Sequence, residues 1–341
     1  MKALIQNHSG YATKRPDSIT LSDLSPFVSL ADVDKPTPSE GQVLVKVSLA
    51  SVNPSDEMFI QGLYGQPRQE GAPAGFEGVG VVEASGGGAI ADGINGLRVA
   101  FVAVPGYGTW AEYALADAST CIPLIDGVRD EDGAAMIVNP LTALAMFDIV
   151  KEVGEKAFVV SAGASQLCKL MISAAKDEGY RPIAIVRRDE QIDMLKELGA
   201  AHVLNSEADD FDKQLRAVLK EEKPQIFLDA VSNQLSANIF NAMGKRSRWV
   251  IYGKLDGDEL PTITEPGQMI FQMKQIEGFW LTRWMTEKSM AEKMGAIQTA
   301  QKRFASGDWQ TDVTAIVSLD DAHEKLPEEL AKPNGKVFLK A

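Results

Sequence analysis

From Lys156 to Arg188 the chain sets short apolar runs on either side of an amphipathic stretch, in an order that predicts strand, turn, helix, turn, strand. Phe158-Val159-Val160 is the aromatic, β-branched run expected of a strand buried on both faces. Ser161-Ala162-Gly163-Ala164-Ser165 is a turn of small residues. After it, Leu167, Leu170, Met171 and Ala174 recur at helical spacing, with Lys169, Lys176 and Asp177 off that stripe. Gly179 stands where a C-terminal cap is expected, and Ile183 to Val186 reads as a second apolar strand.

The same alternation continues downstream. Helix is expected over 189–198, 210–220 and 236–243, and strand over 201–204, 225–229, 248–253 and 275–281. Strands alternating with helices imply a parallel sheet covered on both faces. Upstream the pattern differs. Val43 to Val47 alternates apolar and polar residues, glycines punctuate 75–108, and strands are expected over 75–82, 97–102 and 110–115. Helical character begins at Asp130, with the first long apolar helix expected over 134–150, and the tail reads as a helix over about 286–306 and a closing strand over 335–339. The pattern therefore predicts a β-barrel-like domain over roughly the first 125 residues, followed by a doubly wound parallel-sheet domain.

A strand that feeds a helix through a small-residue turn aims backbone N–H groups and the positive end of the helix dipole at one point, which suits phosphate. This is the βαβ unit of a dinucleotide site, although Gln166 and Cys168 stand at the later small positions of the glycine pattern. A βαβ unit that binds no nucleotide is the alternative. The second strand ends in Arg187-Arg188, where an arginine accommodates a 2′-phosphate, so the expected cofactor is NADP(H). Pairing of these arginines with Asp189 or Glu190 is the competing role.

Composition narrows the partners. A formal charge of −13 over 341 residues argues against nucleic acid and anionic membranes. Two cysteines, Cys121 and Cys168, make neither a disulfide framework nor a cysteine-rich zinc site, and they suit the cytoplasm. The apolar stretch 133–147 is interrupted by Asn139 and Pro140 and is too short for a membrane span.

Four segments carry a resemblance: Asn53-Pro54-Ser55-Asp56 with Gln61-Gly62-Leu63-Tyr64-Gly65; Gly75-Phe76-Glu77-Gly78; Asn139-Pro140-Leu141-Thr142-Ala143; and Gly278-Phe279-Trp280-Leu281. Along nearly its whole length the chain resembles the medium-chain dehydrogenase/reductase superfamily, in its zinc-free branch of quinone oxidoreductases and 2-enoyl thioester reductases. The resemblance implies a Rossmann domain over 126–284 inserted in a chaperonin-10-like catalytic domain formed by 1–125 with 285–341. It also implies a homodimer through strand 275–281. Zinc-dependent members hold their metal at places that here carry Asn53, Phe76 and the segment around Asn139, which makes Glu77 a structural remnant. Carried over by position, Asn139 and Thr142 would sit beside the nicotinamide, Ala162, Gly163, Ala164 and Ser165 along the pyrophosphate, and Arg187 and Arg188 on the 2′-phosphate. Tyr252, Gly253, Lys254 and Leu255 would follow the ribose and nicotinamide edge, with Phe279, Trp280, Leu281 and Lys336 closing the pocket. Tyr64 occupies the place of the catalytic tyrosine.

The expected activity is zinc-independent, NADPH-dependent hydride transfer to an activated double bond, in a 2-enoyl thioester or enone. A quinone acceptor and a nucleotide-binding protein without turnover are the alternatives.

Overall fold

Long apolar runs became central strands and amphipathic ones became covering helices, and these divide between two units. One comprises 1–139 with 297–341, the other 140–296. The resemblance had set the boundaries at 125/126 and 284/285. The computed structural model describes residues 1–14, 19–256, 261–263, 265–332 and 335–341.

The first unit opens with β1 (Lys2–Gln6) and β2 (Val28–Asp32), an antiparallel pair. It continues with β3 (Gln42–Val52), β4 (Glu77–Ser85), β5 (Arg98–Val102), β6 (Tyr113–Asp117) and β7 (Ile122–Pro123). The second unit holds β8 (Ala157–Val160), β9 (Arg181–Val186), β10 (His202–Asn205), β11 (Ile226–Asp229), β12 (Arg248–Ile251) and β13 (Gln275–Gly278). The chain then returns to the first unit with β14 (Val313–Ser318) and β15 (Lys336–Lys340).

In the second unit all pairings are parallel, in the order β10-β9-β8-β11-β12-β13. That order reverses direction between β8 and β11, which is the topological switch point where a doubly wound sheet opens a crevice. Its helices show why they form. In Phe211–Glu222 the buried residues are Phe211, Leu215, Val218 and Leu219, a stripe at helical spacing, and the remainder is charged apart from Gln214 and Ala217. They pack with Val159, Phe227, Phe240 and Trp249 into one core.

In the first unit the order is β14-β15-β3-β4-β5-β7, with β6 paired to β3. The core joins Leu4, Val45, Val82, Phe101 and Trp110 to Val337 and Leu339 of the returning tail. β15 reaches β3 antiparallel, with Val337 opposite Val52.

Several elements differ from expectation. β13 ends at Gly278, because Leu281 already begins the helix Leu281–Glu287. The tail helix is two, Leu281–Glu287 and Met290–Ser306. The helix expected over 134–150 is Asp130–Ala134 followed by Val138–Lys151. The pattern missed β1, β2, β14 and the helix Pro54–Ile60, whose Pro54 stands at its start, where a missing N–H costs nothing. Among the described residues no helix is long and apolar enough to cross a membrane.

Candidate functional site

The crevice of the second unit is built by the ends of β8, β11 and β12. After β8 the chain turns through Ala162, a non-glycine residue at φ 47°. Gly163 follows, where a Cβ would come within 2.8 Å of the Ala184 side chain on β9. The left-handed bend and the close approach thus fall on different residues, and only the second requires glycine. Ser165 caps the helix Gln166–Asp177, its hydroxyl accepting from the Cys168 amide at 3.3 Å. The helix therefore starts at the turn, with its positive end at the crevice.

Asp229, the last residue of β11, fastens the opposite wall. It is fully buried and accepts from the Ser161 hydroxyl at 2.5 Å, Trp249 Nε1 at 2.8 Å and the amides of Val231 and Ser232 at 3.0 and 3.1 Å. Ser161 Oγ in turn accepts from the Ala230 amide at 2.8 Å. Ser232 is a second non-glycine residue in the left-handed region, at φ 59°. Such strain persists where the surroundings over-determine it, and it clusters at functional loops. Sequence reasoning missed both Ser161 and Asp229. The signal was a lone carboxylate closing an otherwise apolar strand.

Arg187 and Arg188 follow β9 at the same sheet edge. Arg187 is exposed, and Arg188 Nη1 lies 3.6 Å from Glu190, an open pairing between two partly exposed side chains. The segment after β12 follows the same sheet edge. Gly253 packs where a Cβ would meet the Ala230 carbonyl at 2.9 Å, Lys254 Nζ donates to Ser232 O at 2.8 Å, and Leu255 is exposed. Thr142 is buried in the helix Val138–Lys151, and Asn139 half-buried at its start. Phe279 and Leu281 are half-buried and Trp280 is exposed, with the Phe279 amide held by Ile251 O at 2.8 Å.

The phenol of Tyr252 points elsewhere than expected. It turns inward onto Cys168 Sγ at 3.6 Å, and burial raises its pKa well above the ordinary value. Cys168 is buried, its Sγ also meets Ser161 O at 3.5 Å, and burial raises its pKa. It is a packing residue beneath the turn, not a thiolate.

In the first unit, Tyr64 lies half-buried on the loop after Pro54–Ile60. Its ring packs on Phe76 at 5.2 Å between centroids, and Phe76 packs on Phe59 at 4.9 Å. The support beneath Phe76 is specific. Gly75 has φ +91°, and a Cβ there would sit 2.3 Å from Trp110 Cδ1, so the chain can enter β4 only through glycine. The Phe76 amide donates to Asp56 Oδ1 at 2.9 Å, and the other Asp56 oxygen accepts from the Asn53 amide at 2.8 Å. The Tyr64 loop is closed by Arg68, whose guanidinium donates to Gly10 O at 3.0 Å and Ile60 O at 3.3 Å.

Behind this loop lies a buried polar cluster. Glu77 accepts from Ser51 Oγ and Asn53 Nδ2, both at 3.0 Å, through one oxygen. Through the other it accepts from the amides of Ile137 at 3.1 Å and Val138 at 2.8 Å. Glu77 is thus an anchor for the start of the helix Val138–Lys151, more than the remnant expected of it. Lys336, expected to close a cofactor pocket, is instead buried here with Nζ on Asn53 Oδ1, because the β15–β3 register carries it to the end of β3. Burial pushes the Asp56 and Glu57 carboxyls up to about 7 and lowers the Lys336 pKa. The positions of the family metal supply an amide, a phenyl ring and backbone, without thiolate or imidazole, so they do not fit zinc. Among the described residues no group of three or more His, Cys, Asp or Glu could hold a metal ion.

Comparison with known proteins agrees with this architecture. Residues 39–126 match the alcohol dehydrogenase GroES-like domain and residues 167–298 the zinc-binding dehydrogenase family. A crystal structure of a Mesorhizobium loti protein, provisionally named an NADPH:quinone reductase, is 58% identical over all of this chain and 98% of its own, with a TM-score of 0.94. The mitochondrial enoyl-[acyl-carrier-protein] reductase of Bos taurus is 28% identical over 94% of this chain and 83% of its own. The Thermus thermophilus quinone oxidoreductase, solved also with NADPH, shares the fold at 22% identity and a TM-score of 0.78, covering 100% of both chains. Fold, domain matches and full-length identity together make this chain a member of the medium-chain dehydrogenase/reductase superfamily.

Proposed function

We propose that the protein is an NADPH-dependent reductase that delivers hydride to an electron-poor double bond, in a 2-enoyl thioester or enone, without a metal. The observation that carries the cofactor reading is the second unit's crevice. A capped helix start, two strained small-residue bends and two arginines share one sheet edge there. Ala162 to Ser165 would receive the pyrophosphate through backbone amides, and Arg187 and Arg188 would clamp the 2′-phosphate. Gly253, Lys254 and Leu255 would flank the ribose, and Asn139, Thr142, Phe279, Trp280 and Leu281 the nicotinamide. Tyr252 acts from beneath, by supporting the turn through Cys168.

NADPH, when bound, supplies the hydride. The protein then has to orient the acceptor and manage the charge that develops on it. Reduction of an enoyl thioester leaves negative charge on the thioester oxygen and calls for a proton at the α-carbon. Tyr64 can donate to that oxygen or deliver that proton, and its ring is held in place by Phe76. A quinone is the second reading, favoured by the name of the 58% identical Mesorhizobium loti protein. The decisive measurement compares wild type and Tyr64→Phe on both acceptor types, with NADPH affinity as control. A positioned acid contributes roughly 10²–10⁴-fold, so enoyl reduction should fall by up to that factor while quinone reduction changes little. Equal falls, or none, would replace the first reading with the second. An absence of NADPH binding would remove both.

β13 is the outer strand of the parallel sheet, its Ile276 is exposed, and Ile270, Phe271 and Met273 just before it in the chain are exposed too. An outer strand with one ladder open calls for a partner, and we assign it to a second copy of the chain across a two-fold axis. Both cysteines are free and buried, which suits a reducing compartment, and we place the protein in the cytoplasm.

A further inference from the structure

We propose that the Lys336 ammonium is the resident cation of the first unit's buried cluster, seated on Asn53, one of the three places that the family resemblance assigns to metal ligands, and that it orients Asn53 and Glu77 to anchor the helix start at Ile137 and Val138. Asp56 and Glu77 are both buried, and both accept a hydrogen bond from Asn53. Carboxylates removed from water need a cation or a proton, and the ammonium in contact with this cluster is that of Lys336.

Register delivers it there. β15 runs antiparallel to β3 with Val337 opposite Val52, so the preceding residue, Lys336, comes opposite Asn53. Its Nζ donates to Asn53 Oδ1. An ammonium only donates and a carboxylate only accepts, so the Asn53 amide has a single workable orientation. Its Nδ2 must face away from the lysine, and it donates to Glu77 Oε1 at 3.0 Å and Ser51 Oγ at 3.3 Å. The remaining Glu77 oxygen is then presented to the Ile137 and Val138 amides. A tethered cation has one property that a metal lacks: it cannot dissociate or be chelated.

Two measurements on the unmodified chain test this directly. Acetylation of lysines read by mass spectrometry should leave Lys336 unmodified, with or without NADPH, while exposed Lys14 and Lys245 react to completion. Equilibrium dialysis against zinc should leave no stoichiometric metal on the chain. Reaction of Lys336 at the surface-lysine rate, with protection only by NADPH, would return it to the cofactor site and overturn the proposal, as would one retained zinc per chain. Variants add the positioning test. Lys336→Met should melt well below wild type and speed hydrogen exchange at the Ile137 and Val138 amides without changing exchange in β9 and β10. Lys336→Met combined with Glu77→Gln, which removes both charges, should recover part of the lost melting temperature. Wild-type stability of the single variant, or a double variant no more stable than the single, would overturn the idea. If Lys336→Met does not fold, the labelling and zinc results still decide it.

Discussion

Asp56→Asn should change how stability depends on pH more than it changes the fold. Both Asp56 oxygens accept backbone amides, from Asn53 and Phe76, and the carboxyl is fully buried. Burial, the largest influence, raises its pKa from 3.8 to about 7, with Glu77 adding to the rise and the Asn53 amide and Lys336 opposing it. A carboxyl whose folded pKa lies above its unfolded value holds a proton in the folded chain that the unfolded chain has released. Between these two values the folded state binds more protons, so stability falls as pH rises, and it levels off above about 7. Three pK units at about 1.36 kcal/mol each bound the change at about 4 kcal/mol. Glu57, raised to about 7 by burial, has the same sign. Glu222, held at about 2 chiefly by Arg181, has the opposite sign, but its window closes by its ordinary value of 4.5. The range from pH 5 to 7 therefore isolates the buried pair. Urea unfolding followed across that range should show wild-type stability declining, with a shallower decline in Asp56→Asn and again in Glu57→Gln. The absolute stability of Asp56→Asn will also drop, because its amide group faces a backbone donor, so the slope is the quantity to read. A wild-type slope retained in both variants, or stability that climbs from pH 5 to 7, would refute the reasoning.

Replacing Arg187 and Arg188 by alanine should weaken NADPH far more than NADH. Charge-assisted contacts of this kind contribute about 1.5–3 kcal/mol each, so fluorescence titration should show at least about a tenfold loss for NADPH, and equal wild-type affinities for both cofactors would sink the assignment. Ala162→Gly relieves a left-handed residue at φ 47° and should raise stability in a thermal melt by about 0.5–1 kcal/mol. A lowered melting temperature would mean that the bend is not strained. Ile276→Pro tests the dimer: the Gln275 and Phe279 amides donate to the β12 side, so by alternation the Ile276 amide faces the open edge. The variant should sediment as a folded monomer, whereas a wild-type chain that is already monomeric at micromolar concentration would end the proposal.

Local pattern was enough for the inner strands β8 to β12 and for helices such as Phe211–Glu222, because each buries residues set by its own run or stripe. Phe158 to Val160 could only be a buried strand, and the stripe of Phe211, Leu215, Val218 and Leu219 could only be one face of a helix. The same holds for β13 as the outer strand, which follows from chain order in a doubly wound sheet. Its length did not follow, because nothing within Gln275 to Leu281 says where the ladder stops; pairing with β12 ends at Gly278, opposite Ile251.

Chain pattern alone was sufficient for the alternation of strands and helices that makes the crevice of the second unit, and for the residue types expected at its rim. Which atoms those residues use on one another was set by long-range packing. Lys336 and Asn53 are 283 positions apart, and only the β15–β3 register brings ammonium to amide. Tyr252 looked like a rim residue until β8 and β12 brought its hydroxyl to Cys168, 84 positions away. Glu77 looked vestigial until β4 set it against the amides of Ile137 and Val138. Periodicity reports how each residue faces its own neighbours along the chain. A buried polar group must instead be satisfied by whatever the fold places within hydrogen-bond distance, and that partner is set by long-range register.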